Sequence, residues 1–293
     1  MISYSLIVNS KSNSSRSVEV IRSSEKLIHD TLSHCEIIYV NNPKDLISTS
    51  ADAAKKSNVV IACGGDGTAQ SIARGVFGSN AKMGLIPFGS GNDFAKSIGL
   101  KTKQSLEYYL EIITKDQILE IDIPFINGKL FLNTAGIGFD GLTNFYASKM
   151  KLLKGSIKYT AAGIKAFLTA RTFEVDMNID GASQIEKVWL FAIANGAVEG
   201  GKYLISPGSV NNDGKLELVI VPAYNRIKLA IAFLLLSLGR TLSKGFSRVK
   251  SFKSATFKTN EELFIHLDGE VGVSSLEYEV TFSVNKLKVI GNS

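Results

Sequence analysis

The hydrophobic rhythm of the chain changes near residue 120. Before that point, short apolar runs alternate with segments of helical period, which is the βαβ manner of an α/β domain. Tyr4–Val8 is an apolar run ending at Asn9, and between Ser14 and Ser33 the residues Val18, Ile21, Ile28 and Leu32 fall at helical spacing. Glu36–Val40 reads as a second strand and Asp45–Lys56 as a helix. Asn58–Cys63 is almost purely apolar, as suits a strand covered on both faces of a parallel sheet. Ile72–Phe77 belongs to a helix, Met83–Pro87 is the next strand, and a further helix covers roughly Ser105–Thr114.

After Gln117 the period becomes two. Leu119, Ile121, Ile123 and Phe125 alternate with Glu120, Asp122, Pro124 and Ile126. Asn127-Gly128 predicts a hairpin turn, with Lys129–Thr134 as its partner strand. Strand-like pieces recur at 172–179, 187–194, 216–221, 254–259, 263–267 and 276–284, and Asp-Gly pairs beginning at 140, 180, 213 and 268 predict turns. Two helical, basic segments, 146–171 and 225–248, interrupt this texture. The pattern predicts an α/β domain with a parallel sheet over 1–126 and a second, mostly antiparallel β domain over 127–293, with a return of the final strand to the first domain left open.

Length and composition agree with this plan. A chain of 293 residues suits two ordinary domains, and 45% hydrophobic with 20% charged residues is a globular composition that excludes disorder as the default. The net charge of +6 favours polyanions, whether nucleotides, nucleic acid or anionic headgroups. Cys35 and Cys63 form no CxxC, and the histidines are three, His29, His34 and His266. Disulfide frameworks, zinc sites and His-based triads are therefore disfavoured, and Cys63 reads as a small core residue. The start lacks the basic and apolar regions of a signal peptide. The most apolar segment, Leu229–Leu238, has ten residues, short of the roughly 20 that a spanning helix needs. The expected location is the cytoplasm.

The chemistry concentrates in two glycine loops. Gly64-Gly65-Asp66-Gly67-Thr68 lies between a buried strand and a helix. Glycines there let backbone N–H groups approach a phosphate, and the following helix turns its positive end to the same place. Asp66 beside phosphates is repelled unless Mg²⁺ sits between them. Alone, such a loop reads as a tight turn with Thr68 as N-cap. A second loop, Pro87-Phe88-Gly89-Ser90-Gly91-Asn92-Asp93-Phe94-Ala95, follows the next buried strand. Two glycine loops at the carboxyl ends of parallel strands converge on one crevice, where open α/β sheets bind ligands.

These two loops resemble the signature of the diacylglycerol-kinase catalytic-domain family, which takes in bacterial lipid kinases, sphingosine kinases and ceramide kinases. Ile193–Glu217, the segment His266-Leu267-Asp268-Gly269-Glu270 and the closing Phe282–Gly291 are similar to later family segments, in the same order. The resemblance implies an NAD-kinase-like α/β domain followed by a β-sandwich, and an ATP- and Mg²⁺-dependent kinase acting on a lipid hydroxyl. It implies an ATP site lined by Gly64, Gly65, Asp66, Gly67 and Thr68, continuing through Ala69, Gln70 and Ser71, with Gly89, Ser90 and Asn92 from the second loop. Asn9 and Ser10 stand where the family has an Asn-Pro phosphate loop, and Asn41 where it usually has Thr. Glu270 is implied as the general base, with Asp66, Asp93 and Asp122 as an acidic network for magnesium and water. Asp213, with the carbonyls of Val210 and Lys215, is implied to hold a structural Mg²⁺.

The first loop, Asn9-Ser10-Lys11-Ser12-Asn13, lacks the family's Pro and Gly, and Ala197-Val198-Glu199 stands where relatives often carry aromatic or basic residues. Read without the resemblance, Asp213 and Asp268 are hairpin corners and Asp122 is a solvated strand residue. The basic segments read equally as solvated helix faces or as surfaces for an anionic membrane, and a lipid substrate implies peripheral contact with the inner membrane face. Two other functions fit the same residues: a soluble NAD-kinase-like enzyme, and a non-catalytic nucleotide-binding regulator at membranes. Nucleic acid is not an expected partner. The identity of the lipid, a role in phospholipid biosynthesis and the oligomeric state, a homodimer included, are open at this level.

Overall fold

A computed structural model describes residues 2–12, 16–150, 152–153, 155–243 and 245–292. Asn13 and Ser14 of the N-terminal segment, and Lys151, Lys154 and Lys244 of the basic segments, lie outside the described residues. The chain divides into two compact units. One is Met1–Ile123 with Val284–Ser293, the other Pro124–Ser283.

The first unit is built on a six-stranded sheet. Its strands are β1 (Tyr4–Asn9), β2 (Cys35–Val40), β3 (Val59–Gly64), β4 (Lys82–Pro87), β5 (Ile118–Ile121) and, from the far end of the chain, β17 (Leu287–Ile290), in the order β2-β1-β3-β4-β17-β5. All neighbours are parallel except β17 and β5, which run antiparallel at the edge. Every residue of β1 and β3 is buried, as the apolar runs predict for strands covered on both faces. The helices are α1 (Arg16–Ser23), α2 (Glu25–Thr31), α3 (Leu46–Lys56), α4 (Asp66–Val76), α5 (Asp93–Ser97) and α6 (Leu106–Lys115). The single helix expected over 14–33 is broken at Ser24 into α1 and α2. Cys63 is fully buried, and that burial pushes its thiol up.

The second unit holds eleven strands: β6 (Pro124–Ile126), β7 (Lys129–Leu130), β8 (Thr134–Gly138), β9 (Phe173–Ile179), β10 (Ala182–Ala194), β11 (Leu216–Pro222), β12 (Arg248–Phe252), β13 (Ala255–Leu263), β14 (Ile265–Leu267), β15 (Glu270–Val271) and β16 (Ser275–Phe282). Their pairing is antiparallel throughout. The long β10 is the fork. Its first half pairs with β9, its second half with β8 and β11, and the register slips between Val188 and Leu190. A strand that changes partners at a bulge bends the sheet over its own core. Phe191 sits in that core, stacked on Phe257 at 4.7 Å and edge-on to Tyr278 at 6.2 Å.

Three departures from the sequence reading have physical causes. The strand expected over 119–126 is two, because the unit boundary falls after Ile123 while the alternation runs on through it. The strand expected over 129–134 stops at Leu130 and resumes at Thr134. There, and at the first residue of β8, the N–H groups of Leu132, Asn133 and Thr134 donate to the Asp268 carboxylate at 2.8, 2.7 and 3.0 Å. Asp180-Gly181 and Asp268-Gly269 make left-handed turns as predicted, but Asp140-Gly141 does not. It lies in the first turn of α7 (Phe139–Lys149), where a Cβ on Gly141 would come within 1.9 Å of the Phe264 carbonyl oxygen. Helices α8 (Gly155–Thr169) and α9 (Arg226–Ser237) complete the unit.

Candidate active site

The two glycine loops of the first unit are fused into one floor. β3 ends at Gly64 and β4 at Pro87, parallel neighbours in the sheet, so both loops leave the same edge. A Cβ built on Gly65 would lie 3.1 Å from the Gly89 Cα, and one on Gly89 would lie 2.7 Å from the Gly65 Cα and 2.5 Å from Asn92 Oδ1. Only glycine permits that approach. Asn92 adopts a left-handed conformation, φ 54°, and its side chain closes the second loop by accepting the Gly89 N–H and donating to the Gly89 carbonyl. Asp66 then joins the loops. One carboxylate oxygen accepts the Asn92 N–H at 2.7 Å and the other the Asp93 N–H at 2.6 Å, which caps α5 from outside its own chain segment. Helix α4 starts at Asp66, so the positive end of an eleven-residue helix faces this floor.

Asn9, at the end of β1, donates its amide to the Thr68 hydroxyl at 2.8 Å, which fastens the first loop to α4. Ser10 donates its N–H to the Val40 carbonyl, and Asn41 follows immediately as an exposed residue. Within the expected ATP-lining run, Gly65, Asp66, Gly67 and Ser71 are partly open to solvent. Thr68, Ala69 and Gln70 are buried. Ser90 is exposed at the tip of the second loop.

Among the described residues, Asp66, Asp93 and Asp122 do not form a group of ligand atoms within 4.8 Å of one another. Asp93 pairs with Lys96 at 3.4 Å and buried Asp122 with Lys286 at 2.9 Å. Asp122 is thus an inward-facing ion-pair member and not a solvated strand residue. Asp213 is exposed and takes the Lys215 N–H at 3.0 Å in a local turn, with Val210 half exposed nearby in sequence. One carboxylate and two carbonyls are hard oxygen donors of the kind Mg²⁺ takes, with waters completing its octahedron. The exposure of Asp213 leaves space for those waters.

In the second unit, Glu270 opens β15 directly after the turn Asp268-Gly269, both residues of which have positive φ, 50° and 83°. Asp268 is more than a hairpin corner, since its carboxylate gathers the three N–H groups of 132–134. Below the turn lies a group that the sequence reading missed. His266 is fully buried, and its Nε2 lies 2.8 Å from Asp140 Oδ2 and 3.1 Å from Glu199 Oε1. Its Nδ1 accepts the Gly269 N–H at 3.2 Å. Burial opposes a charge on the ring while Glu199 and Asp140 favour one, and the carboxylates prevail, holding its proton affinity well above the usual value. Burial first, then the Asp140 charge, pushes Glu199 up. The two shifts are one proton held between Glu199 and the ring, and the Gly269 N–H on Nδ1 puts it on the carboxyl side. Among the described residues, these are the three His, Cys, Asp or Glu side chains whose ligand atoms fall within 4.8 Å of one another. The single signal in the sequence is a histidine inside the apolar run Phe264–Leu267, just ahead of the Asp268-Gly269 pair. In the sequence, Asp140 reads as a turn residue and Glu199 as a departure in acceptor recognition.

Residues 3–126 match the family model described as diacylglycerol kinase catalytic domain, and residues 133–291 the one described as YegS C-terminal NAD kinase beta sandwich-like domain. The chain is 27% identical over 223 residues to a diacylglycerol kinase of Bacillus subtilis, covering 75% of this chain and 73% of that protein. It is 30% identical over 221 residues to a probable lipid kinase YegS-like of Pseudomonas fluorescens, covering 72% and 68%. Among solved structures, a diacylglycerol kinase from Bacillus anthracis superposes with a TM-score of 0.77 at 21% identity, covering 99% of this chain and 97% of that one. An NAD kinase from Archaeoglobus fulgidus in complex with ATP gives 0.55 at 12% identity, covering 99% and 94%. At these identities the two structures establish likeness of fold.

Proposed function

The chain belongs to the diacylglycerol-kinase catalytic-domain family with a YegS-type C-terminal domain, and from that membership we propose that it transfers the γ-phosphoryl group of ATP to a lipid hydroxyl in an Mg²⁺-dependent reaction. The observation that carries the nucleotide half is the fused floor of Gly65 and Gly89, tied by Asp66. A surface of glycine backbone at a helix N-terminus suits phosphate oxygens and leaves no room for side chains. Mg²⁺, when bound with ATP, neutralises phosphate charge. The chain's own part is to hold the phosphates against the loops and to keep those loops in register through Asp66 and Asn92. Asp213, with the carbonyls of Val210 and Lys215, is the reading for a separate structural Mg²⁺.

Glu270 is the residue assigned to the acceptor. Its position on an exposed turn gives its carboxylate access to a substrate hydroxyl, and phosphoryl transfer asks for a group that accepts that proton. The acceptor is a diacylglycerol or a related lipid, which the enzyme must meet at a membrane surface. No helix among the described residues is long and apolar enough to cross one. Helices α8 and α9 supply a surface for peripheral contact instead. Gly163 of α8 abuts the Phe233 ring of α9, and Arg226 donates to the carbonyls of Phe167 and Ala170, so the two pack as a pair. Their outer sides expose Ile157, Ile164, Leu168, Ile227, Leu234 and Leu238, with Lys165 and Arg240 also exposed. Apolar side chains among cations suit an anionic bilayer.

The test is label transfer from γ-labelled ATP to diacylglycerol, phosphatidylglycerol, sphingoid bases and ceramide in mixed micelles, with NAD in solution as the competing acceptor. Label in a lipid that depends on Mg²⁺ supports the proposal. Label in NAD with none in any lipid overturns it.

A further inference from the structure

We propose that His266 is a positioning residue for Glu270: as the Nε2–H tautomer it accepts the Gly269 N–H on Nδ1 and so fixes the turn from which Glu270 departs, while Asp140 and Glu199 hold the far side of the ring. This rests on the reading of Glu270 as the acceptor-side base.

The ring is held at both nitrogens by three separate parts of the second unit. Gly269 belongs to the turn between β14 and β15, Asp140 to the first turn of α7, and Glu199 to the segment after β10. The Nδ1 contact sets the tautomer. An N–H aimed at Nδ1 requires a lone pair there, so a neutral ring carries its proton on Nε2 and donates it to the carboxylates. The shared proton of the cluster then belongs to the carboxyl side, because an imidazolium would set Nδ1–H against the Gly269 N–H. The same contact argues against a cation. A metal would need the Nε2 lone pair and would move the ring proton to Nδ1. Three ligand-type side chains at close spacing are here a hydrogen-bonding device.

The turn needs such a device. It joins strands of three and two residues with only two register pairs, His266 with Val271 and Leu267 with Glu270. Both turn residues are left-handed, and Asp268 bears a Cβ there, which costs energy. Asp268 pins one side through the N–H groups of 132–134, and His266 pins the other through Gly269. Room for the ring comes from Gly136 on β8, where a Cβ would lie 2.3 Å from His266 Nε2 and 2.0 Å from Asp140 Oδ2. A base displaced by about an ångström costs up to roughly 10²-fold in rate, so the direction of Glu270 is where this contact acts.

Two substitutions separate the ring's ends. His266→Asn places an amide oxygen where Nδ1 stands and gives up Nε2–H. His266→Gln reaches the carboxylates with an N–H and gives up the Nδ1 acceptor. With the best lipid acceptor, His266→Gln is expected to lose about 10–10²-fold in kcat with the ATP KM unchanged within about twofold, while His266→Asn keeps kcat within about threefold. In a Glu270→Gln background, His266→Gln should cost nothing further, as for residues acting through one group. Equal losses in the Asn and Gln variants, or losses that multiply with Glu270→Gln, overturn the proposal. A second arm needs no activity. Nitrogen-15 NMR of the wild-type ring should find Nδ1 unprotonated, and amide exchange at Gly269 should be faster in His266→Gln than in His266→Asn. A protonated Nδ1, or equal exchange, overturns the contact itself. Wild-type protein that labels no lipid would sink the kinase reading and leave this second arm to judge His266.

Discussion

At the scale of single side chains, Asp66 binds the second glycine loop to the first as well as bringing charge to the glycine floor. Asp66→Asn keeps the shape but turns an NH₂ toward one of the two backbone donors, leaving that N–H without its acceptor. The expected cost is about 1–3 kcal/mol of stability together with an ATP Kd raised by about tenfold or more, since 1.4 kcal/mol is tenfold. Thermal melting and titration calorimetry check both, and an unchanged ATP Kd would show the tie to be incidental. The cluster of Asp140, Glu199 and His266 makes a second claim at this scale. The folded cluster keeps a proton to higher pH than the unfolded chain, whose histidine releases it near 6.5. The folded state therefore binds more protons above that pH, and stability, fully present below it, falls as pH rises, by at most about 1.4 kcal/mol per unit for one proton. Melting temperature should decline from pH 6.5 toward 9, and Glu199→Gln should flatten the decline. A flat wild-type profile contradicts the shared proton. None of this was legible in the sequence. His266 and Asp140 stand 126 positions apart, and an Asp-Gly pair carries the same local signal in a helix as at a hairpin.

At the scale of elements, the parallel strands were legible because β1, β3 and β4 are buried on both faces and so are apolar at nearly every position. The glycine loops were legible as a pair but not as a contact, which needs the distance between Gly65 and Gly89. That distance yields a graded prediction. Gly89→Ala places a Cβ against backbone and against the Asn92 side chain that closes the loop, whereas Gly65→Ala meets one backbone atom at 3.1 Å. Gly89→Ala should weaken ATP binding by at least about tenfold and Gly65→Ala by less, since overpacking against fixed atoms costs roughly 1–3 kcal/mol. The reverse order would mean that the floor opens before nucleotide binds. Helices α8 and α9 are open to a parallel test. Leu168→Glu combined with Leu234→Glu should abolish co-sedimentation with vesicles containing anionic lipid and spare phosphorylation of a short-chain acceptor in solution. Undiminished sedimentation would place membrane contact elsewhere.

At the scale of the whole molecule, the period-two alternation through 119–126 hid the boundary, because β5 of one unit and β6 of the other share one rhythm. The closing strand was legible as a strand but not as the one that inserts between β4 and β5 of the first unit. Both units thus depend on a chain that leaves the first sheet after β5 and comes back at β17. The proposed function makes the molecule a kinase whose Glu270 takes the acceptor proton. The most direct test is the initial rate of label transfer from ATP to the best lipid acceptor in Glu270→Gln, with ATP affinity measured alongside. The substitution keeps the shape and removes the basicity, so kcat should fall by about 10²–10⁴-fold, with the ATP Kd changed by less than roughly threefold, under about 1 kcal/mol. A kcat that holds while ATP binding collapses, or a variant indistinguishable from wild type, would contradict it.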